Sequence, residues 1–422
     1  MSAVSSLQSG HLQSGHSQKG SETFNPFLPE FRQNPYPTYH RLRMRSPVHR
    51  TASFTGAWLL TRYADVKSVL TDKRVKVDDL PERLKKKAAY LEPGQDFEQL
   101  RQTIGAWLFF QNPPDHGRFR NLVMKHFSIS TVEALRPRIQ KIVDRLIDQV
   151  IDQGHMDIMA DVAAPLPTLV MSDLLGVPDQ DRPQLTQWSY TLFRVFDQPI
   201  TLKGYAQMEE TAGAFKSYFR DLIRQRRQSP GSDLLSKLLV EKDNQKDLSE
   251  EDFFAFCTML FSVGQETTEN MIGNSLLALL HHHTQFNQLR QNPELISSAL
   301  EELLRYDSPV QILARIAEQD LEIGGQTIQA GDRLFLALGA ANRDPEQFSN
   351  PDELCLTRNE GRPIPFGAGI HHCLGGAIAR VQGQVAINSI LKRLPNLQRT
   401  EGNLSWRKNL VLRGLSSLPV TF

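Results

Sequence analysis

The spacing of apolar residues predicts a mostly helical protein. Apolar positions recur every three or four residues in several segments, as they do in amphipathic helices. The predicted helices cover residues 131–153, 208–227, 249–281, 292–306 and 377–394. Ser249 and Asp252 resemble a capping pair at the start of the longest of them. At ~1.5 Å per residue that helix would span roughly 50 Å, enough to cross the whole molecule.

Shorter segments are predicted as strands. They lie at residues 57–61, 322–328, 333–337 and 410–420, and the second of them contains the turn Gly324-Gly325. The fold class is therefore mainly α with small β-sheets (α+β). Because composition does not change abruptly, we expect residues 24–422 to form a single domain. Residues 1–23 are rich in Ser, Gln, Gly and His and cannot bury apolar surface, so we expect a disordered leader there.

Composition and charge limit the possible classes of function. The 422 residues are 40% hydrophobic and 23% charged, which is ordinary for a globular protein, and the net charge is +1. This balance argues against a nucleic-acid binder, and no apolar run approaches the ~20 residues of a spanning helix. We therefore expect no membrane anchor. The three cysteines, Cys257, Cys355 and Cys373, are too few for a disulfide framework and favour the cytoplasm.

One cysteine lies in a glycine-rich stretch with the pattern of a metal ligand. Cys373 belongs to FGAGIHHCLGGAIAR, residues 366–380. Glycines allow a tight turn that brings amide N–H groups close to a sulfur, and such hydrogen bonds temper thiolate donation. A buried free cysteine before a helix is the simplest alternative. A zinc site built from His371, His372 and Cys373 is disfavoured, because adjacent ligands rarely close a tetrahedron.

A second stretch, VGQETT at residues 263–268, interrupts the longest helix with polar residues. Gly264 costs ~1 kcal/mol relative to Ala in a helix interior, which indicates a packing or functional reason. The missing side chain would leave a groove for a flat cofactor and a small diatomic. Thr267 can hydrogen-bond to the carbonyl of Val263, and with Glu266 it forms an acid–alcohol pair suited to proton delivery. A buried polar kink would give the same pattern.

Two further pairs are spaced to lie on one helix face. Glu302 and Arg305 are three residues apart, and His116 and Arg120 are four apart. Taken alone, each would be an ordinary exposed pair that contributes little to stability.

The separated stretches together resemble the cytochrome P450 family. The match includes the cysteine loop, the acid–alcohol pair, the Glu-x-x-Arg pair, ANRDP at residues 341–345 and the ending LVLRG at residues 410–414, in the family's order. The family usually has Ala where Val263 stands. The resemblance implies the cytochrome P450 fold, with haem b between the long central helix and the helix of the cysteine loop, and with Cys373 as the iron ligand.

The resemblance also assigns roles to other residues. Glu266 and Thr267 would deliver protons, and Arg358 would join Glu302 and Arg305 in a structural triad. The expected haem contacts are His116, Arg120, Gly264, Arg315, Phe366, Gly367, His371 and Gly375. The expected substrate pocket contains Phe109, Phe110, Phe193, Phe196, Phe261, Ile312, Leu313 and Val411.

The implied function is that of a haem-thiolate monooxygenase. It would activate O2 with external electrons to hydroxylate or epoxidise an apolar small molecule, such as a lipid, terpenoid, polyketide or aromatic metabolite. The chain has no room for a flavin or iron–sulfur domain, so we expect a separate ferredoxin with its reductase, or a flavodoxin-type donor, and a monomeric enzyme. Arg118, Lys125 and Arg380 would favour an acidic partner. The alternatives are a peroxide-driven oxidase or isomerase, and a non-catalytic haem sensor or carrier.

Overall fold

A computed structural model describes residues 24–51, 56–77, 80–88, 96–197, 200–244 and 248–422. The predicted leader, residues 1–23, lies outside the described residues. α-Helices make up most of the rest, which confirms the predicted class. The helices are α1 Pro29–Gln33, α2 Tyr36–Arg45, α3 Tyr63–Thr71, α4 Leu80–Ala88, α5 Glu98–Gly105, α6 Asp115–Met124, α7 Ile129–Glu133, α8 Arg136–Asp148, α9 Pro165–Leu175, α10 Arg182–Phe193, α11 Leu202–Gln228, α12 Leu234–Asp243, α13 Glu250–His281, α14 His283–Gln291, α15 Ile296–Tyr306, α16 Leu338–Ala341 and α17 Gly376–Arg393.

The strands form three small sheets. They are β1 Val48–Arg50, β2 Trp58–Leu60, β3 Val75–Val77, β4 His155–Asp157, β5 Ile312–Ala317, β6 Leu321–Ile323, β7 Gln326–Ile328, β8 Arg333–Ala337, β9 Gln398–Arg399 and β10 Pro419–Thr421. The largest sheet has the order β1-β2-β8-β5-β3, in which β2 and β8 are parallel and the other pairs antiparallel. The second has the order β4-β10-β9, and β6 and β7 form a hairpin.

Helix α13 is the centre of the main core. Its N-terminus is capped as predicted, since Ser249 Oγ accepts the Asp252 N–H at 3.0 Å. Helices α9, α10, α11 and α17 pack against it. Every residue from 253 to 280 is buried except Val263, Gly264 and Thr267. Such burial explains why the helix is apolar around most of its circumference.

Several predicted elements differ from the structure at their ends. The predicted helix 131–153 is divided into α7, α8 and a 3-10 turn at Ile151–Gln153. Pro137 lies in the first turn of α8, where a missing N–H does no harm. The predicted strand 410–420 is reduced to β10, and Leu412 and Leu415 make isolated bridges instead.

Within the described part of the chain, one helical stretch is long and apolar enough to be considered as a membrane span. It is Ile158–Leu175, 18 residues of which 61% are buried inside the protein. It joins a π-helical turn, Ile158–Ala163, to α9. A buried core helix meets the same criteria, so the stretch is weak evidence for a membrane span.

Candidate active site

The uncovered surface of α13 lies at the predicted acid–alcohol stretch. Val263 and Thr267 are one turn apart and share a face, and the Thr267 hydroxyl donates to the Val263 carbonyl at 3.2 Å. Gly264 is partly exposed, but a Cβ there would meet Met171 of α9 at 3.3 Å. Gly264 therefore serves the close packing of α9 and α13. The side chain on the open face is that of Val263, which narrows the predicted groove.

Glu266 lies beside this opening and is held by an arginine from the C-terminal region. Arg407 Nη1 lies 3.4 Å from Glu266 Oε1, and Arg407 also contacts Glu269, one turn further along α13. Burial raises the pKa of the Glu266 carboxyl, and Arg407 opposes that rise. Asp197 carries a third carboxyl near this group: burial, together with the charge of Glu266, raises its pKa to about 6.

The cysteine loop depends on two glycines in the left-handed region. Gly367 and Gly369 have φ of +71° and +70°, and a Cβ on Gly369 would lie 2.5 Å from the carbonyl oxygen of Leu70. The Cys373 N–H donates to the Phe366 carbonyl at 3.0 Å. Burial raises the pKa of the Cys373 thiol, whereas a hydrogen bond from the Gly375 N–H and the charges of nearby arginines lower it. The loop therefore offers the kind of sulfur environment that the sequence predicted.

Four basic side chains converge beside this loop. The rings of His116 and His371 are 4.2 Å apart, and Arg120 donates to the carbonyl of His372 at 2.9 Å. Burial, followed by the charges of Arg315, His116 and Arg120, lowers the pKa of His371 to about 3. The charged neighbours that shift His371 are all cations, and the buried Nε2 of His116 has no hydrogen-bond partner among the described residues. The guanidinium groups of Arg120 and Arg315 and the imidazole nitrogens beside them suit an anion, such as the two propionates of haem.

The structure brings the three residues of the predicted triad together. Arg305 Nε and Nη2 donate to the two carboxylate oxygens of Glu302 at 2.6 and 2.9 Å. Arg358 Nε donates to Glu302 Oε1 at 3.1 Å. The remaining donors of Arg305 reach the carbonyls of Asn342 and Pro351, at 2.9 and 2.8 Å, and that of Glu353, at 3.0 Å. All five guanidinium donors are thus used in a buried site.

The predicted substrate pocket is only partly brought together. Phe109, Phe110, Phe193 and Phe196 form one aromatic cluster, with neighbouring ring centroids 4.8 to 5.8 Å apart. Phe261 is fully buried and packs on Phe215 of α11.

The remaining candidates for the substrate pocket, Ile312, Leu313 and Val411, lie in different parts of the structure. Ile312 and Leu313 are consecutive in β5 and point to opposite faces. Ile312 is buried among Phe31, Tyr39 and Phe335, whereas Leu313 faces Gly367 of the cysteine loop. Val411 is partly buried against the main core. Phe261 and Ile312 have almost no accessible surface and pack among core residues, and their assignment to the substrate pocket stays a prediction.

The three cations expected to attract an acidic partner all have carboxylate neighbours. Arg118 contacts Asp115, and Lys125 contacts Glu241. Arg380 Nε donates to Glu301 at 2.5 Å, and its guanidinium lies 4.3 Å from the centroid of the Phe366 ring. These contacts neutralise much of the basic character predicted for this face.

Sequence reasoning missed Arg407, Glu269 and Tyr190. Glu269 was within reach, because it lies three residues after Glu266 on the same helix and so shares its face. Arg407 follows α13 by more than a hundred residues in a segment without a strong pattern, and Tyr190 lies in the middle of α10. No periodicity or motif connects these two residues to the acid.

The comparisons with known proteins agree with this geometry. The family model for cytochrome P450 matches residues 57–402. The chain is 39% identical to the biotin biosynthesis cytochrome P450 of Bacillus subtilis (strain 168), over 93% of this chain and 97% of that protein. It is 39% identical to the vitamin D(3) 25-hydroxylase of Pseudonocardia autotrophica, over 95% of this chain and 97% of that protein. A crystal structure of P450BioI in complex with hexadec-9Z-enoic acid ligated acyl carrier protein aligns with a TM-score of 0.85 and 38% identity, covering 93% of this chain and 99% of that one.

The chain therefore belongs to the cytochrome P450 family. It is a haem-thiolate monooxygenase with haem b as its cofactor, and the predicted fold, cofactor and class of reaction are confirmed.

Proposed function

We propose that Cys373 holds the haem iron, that His116, Arg120, Arg315 and His371 bind the propionates, and that Glu266 and Thr267 deliver protons. The observation that carries this assignment is that the cysteine loop gathers basic side chains: Arg120 donates to the His372 carbonyl at 2.9 Å, and the rings of His116 and His371 are 4.2 Å apart. Phe366, Gly367 and Gly375 shape the loop around the sulfur, and Gly264 lies at the uncovered face of α13.

Haem supplies the oxygen chemistry when bound, because a thiolate ligand pushes electron density to the iron and favours O–O cleavage. The residues of the chain control the delivery of protons and the access to the site. The Thr267 hydroxyl donates its hydrogen bond to the Val263 carbonyl, which leaves the Thr267 oxygen free to accept a hydrogen bond from another donor. Glu266 is the adjacent acid, and burial favours its protonated form.

The metal assignment is tested by changing Cys373 to Ser. We expect the variant to lose the reduced-CO absorption band that is characteristic of thiolate ligation. Cys355→Ser is the matched control, because Cys355 is partly exposed and contacts Thr357 away from the loop; it should retain the band. A Cys373→Ser protein that kept the band would overturn the assignment.

For the substrate, we propose a long apolar molecule that contacts Phe109, Phe110, Phe193 and Phe196, with Leu313 and Val411 at the other side of the pocket. The aromatic cluster supports an apolar chain or ring system, since such rings bury large apolar areas. One relative is named for vitamin D(3) and one neighbour was crystallised with an acyl carrier protein. An acyl chain, free or carrier-bound, is therefore the first candidate class.

Adding each candidate substrate while the haem absorption band is recorded distinguishes a free acyl chain, a carrier-bound acyl chain and vitamin D(3). The probes are hexadec-9Z-enoic acid, the same acid on an acyl carrier protein, and vitamin D(3). A shift with one probe and a lack of response to the others would identify the class. If none of the three shifts the band, the acyl and sterol candidates are both wrong.

We also propose that residues 24–422 act as one monomeric domain in the cytoplasm and accept electrons from a separate ferredoxin or flavodoxin. Because Arg118, Lys125 and Arg380 are paired with carboxylates, charge alone gives weak support for docking at this face. Met124 and Ile370 are 51% and 54% exposed and would add apolar contact there. Reduction by a surrogate ferredoxin should slow in Ile370→Asp, while the haem spectrum stays unchanged.

A further inference from the structure

Two buried carboxyl groups, one of which is the proposed proton donor Glu266, share a single cation. Glu266 and Glu269 are one turn apart on α13, and their side chains are 11% and 1% exposed. The Arg407 guanidinium contacts both. On the far side of the pair, the Tyr190 hydroxyl donates to Glu269 Oε2 at 2.8 Å.

The charges of this group do not balance if both acids are ionised. The neighbouring groups are Tyr190 from α10, whose pKa is raised by burial, and Asp197, whose pKa is raised by burial and by the charge of Glu266. Arg194 Nε lies 3.8 Å from Asp197 Oδ2 and is the cation that pairs with that carboxyl. Two carboxylates and one guanidinium would leave an uncompensated buried charge, which costs several kcal/mol. Closely spaced buried acids avoid this cost by keeping one proton between them.

Arg407 also connects the pair to the surface. It lines a cleft between the N-terminal helix α1 and residues 406–414, together with Arg32, Asn409 and Leu410. Asn409 in turn donates to Asp197 at 2.9 Å. The acid pair therefore has solvent access on the Arg407 side.

We propose that Glu266 and Glu269 hold one shared proton, that Arg407 positions the pair, and that this proton is the one Glu266 passes towards Thr267. The proposal rests on the proposed role of Glu266. In each transfer a Glu266 oxygen would lose the proton; the Thr267 hydroxyl would turn away from the Val263 carbonyl, accept that proton on Oγ1 and give up its own proton in exchange. Solvent at the cleft then returns a proton to the pair, so the charge of the site is restored.

A shared proton has a distinctive infrared signature. At pH 8, where Asp197 is ionised, the haem-loaded protein should show the C=O stretch of one protonated carboxylic acid. Glu266→Gln and Glu269→Gln should each abolish this band, because the remaining carboxylate is then neutralised by Arg407. Lys408→Gln, an exposed neighbour in sequence, should leave the band intact. Absence of the band in the wild type, or its survival in either Glu variant, would overturn the proposal.

A second experiment measures how the shared proton affects the coupling of electron use to product formation. A positioned acid contributes a rate factor on the order of 10²–10⁴. Because Glu269→Gln removes the shared proton, we expect it to reduce the product formed per NAD(P)H by about tenfold, with a matching rise in peroxide. Arg407→Lys should preserve most coupling, since it keeps the cation and controls for folding. Coupling in Glu269→Gln equal to that of Lys408→Gln would contradict the proposal. The infrared band does not depend on the iron ligand, so its presence in Cys373→Ser separates this inference from the assignment of Cys373.

Discussion

The buried guanidinium of Arg305 gives the strongest stability prediction. Five donors reach Glu302 and three backbone carbonyls, and the side chain is 1% exposed. Lysine has three donors on one nitrogen, so Arg305→Lys loses at least two of these five hydrogen bonds, each of which involves the charged guanidinium. Each such loss costs about 1–3 kcal/mol. We therefore expect Arg305→Lys to lower the free energy of unfolding by roughly 2–6 kcal/mol.

The matched control is Arg136→Lys. Arg136 makes a similar two-pronged contact with Glu133 at 2.7 and 2.9 Å, but both side chains are more than one third exposed. An exposed pair of this kind contributes about 1 kcal/mol or less. Urea unfolding followed by circular dichroism measures both changes, provided that the slope of each transition is unaltered.

A small effect of Arg305→Lys on the free energy of unfolding would refute this reasoning. If Arg305→Lys unfolds within about 1 kcal/mol of the wild type, the range of an exposed pair, the hydrogen bonds around Arg305 do not stabilise the protein. A large effect of Arg136→Lys would equally show that burial is not the deciding variable.

Three further outcomes are expected. Gly369→Ala should reduce haem content and the urea midpoint, because φ is +70° and the added Cβ would lie 2.5 Å from the Leu70 carbonyl oxygen. Gly325→Ala, with φ of +73° and open space, should lower the free energy of unfolding by only about 1–2 kcal/mol. Burial raises the pKa of Asp197 to about 6, so its protonated form stabilises the fold below pH 4 and that contribution is lost as pH rises through 6. The stability of the wild type relative to Asp197→Asn should therefore fall over this range by on the order of 1 kcal/mol, given partial solvent contact, and a flat difference would refute the shift. Thr267→Ala should divert electrons to peroxide while Thr267→Ser keeps product formation, and equal coupling in both would remove Thr267 from proton delivery.

Local patterns allowed much of the fold to be predicted. Helix α13 was found because its capping serine and its apolar run are contiguous in the sequence. The triad member Arg358 was assigned through the resemblance to the cytochrome P450 family, and the structure places it against Glu302. In each case the informative residues are close together or belong to a recognisable motif.

Contacts between distant segments could not be read in this way. Arg407 reaches Glu266 only through the packing of the C-terminal region on α13. Phe261 and Ile312 are apolar residues whose surroundings, core or cavity, are decided by neighbours from α11 and from the N-terminal helices. Apolar character predicts burial, but it does not indicate which kind of apolar environment a side chain enters.

Strand β10 ends only one residue before the last residue of the chain, yet it is the middle strand of its sheet. Val420 lies opposite both Met156 of β4 and Arg399 of β9, and the N–H of Phe422 donates to the carbonyl of Gly154 at 3.1 Å. Trimming the final four residues would thus separate two segments that are joined through this strand. Any tag or reporter added at that end should follow a flexible linker placed after Phe422.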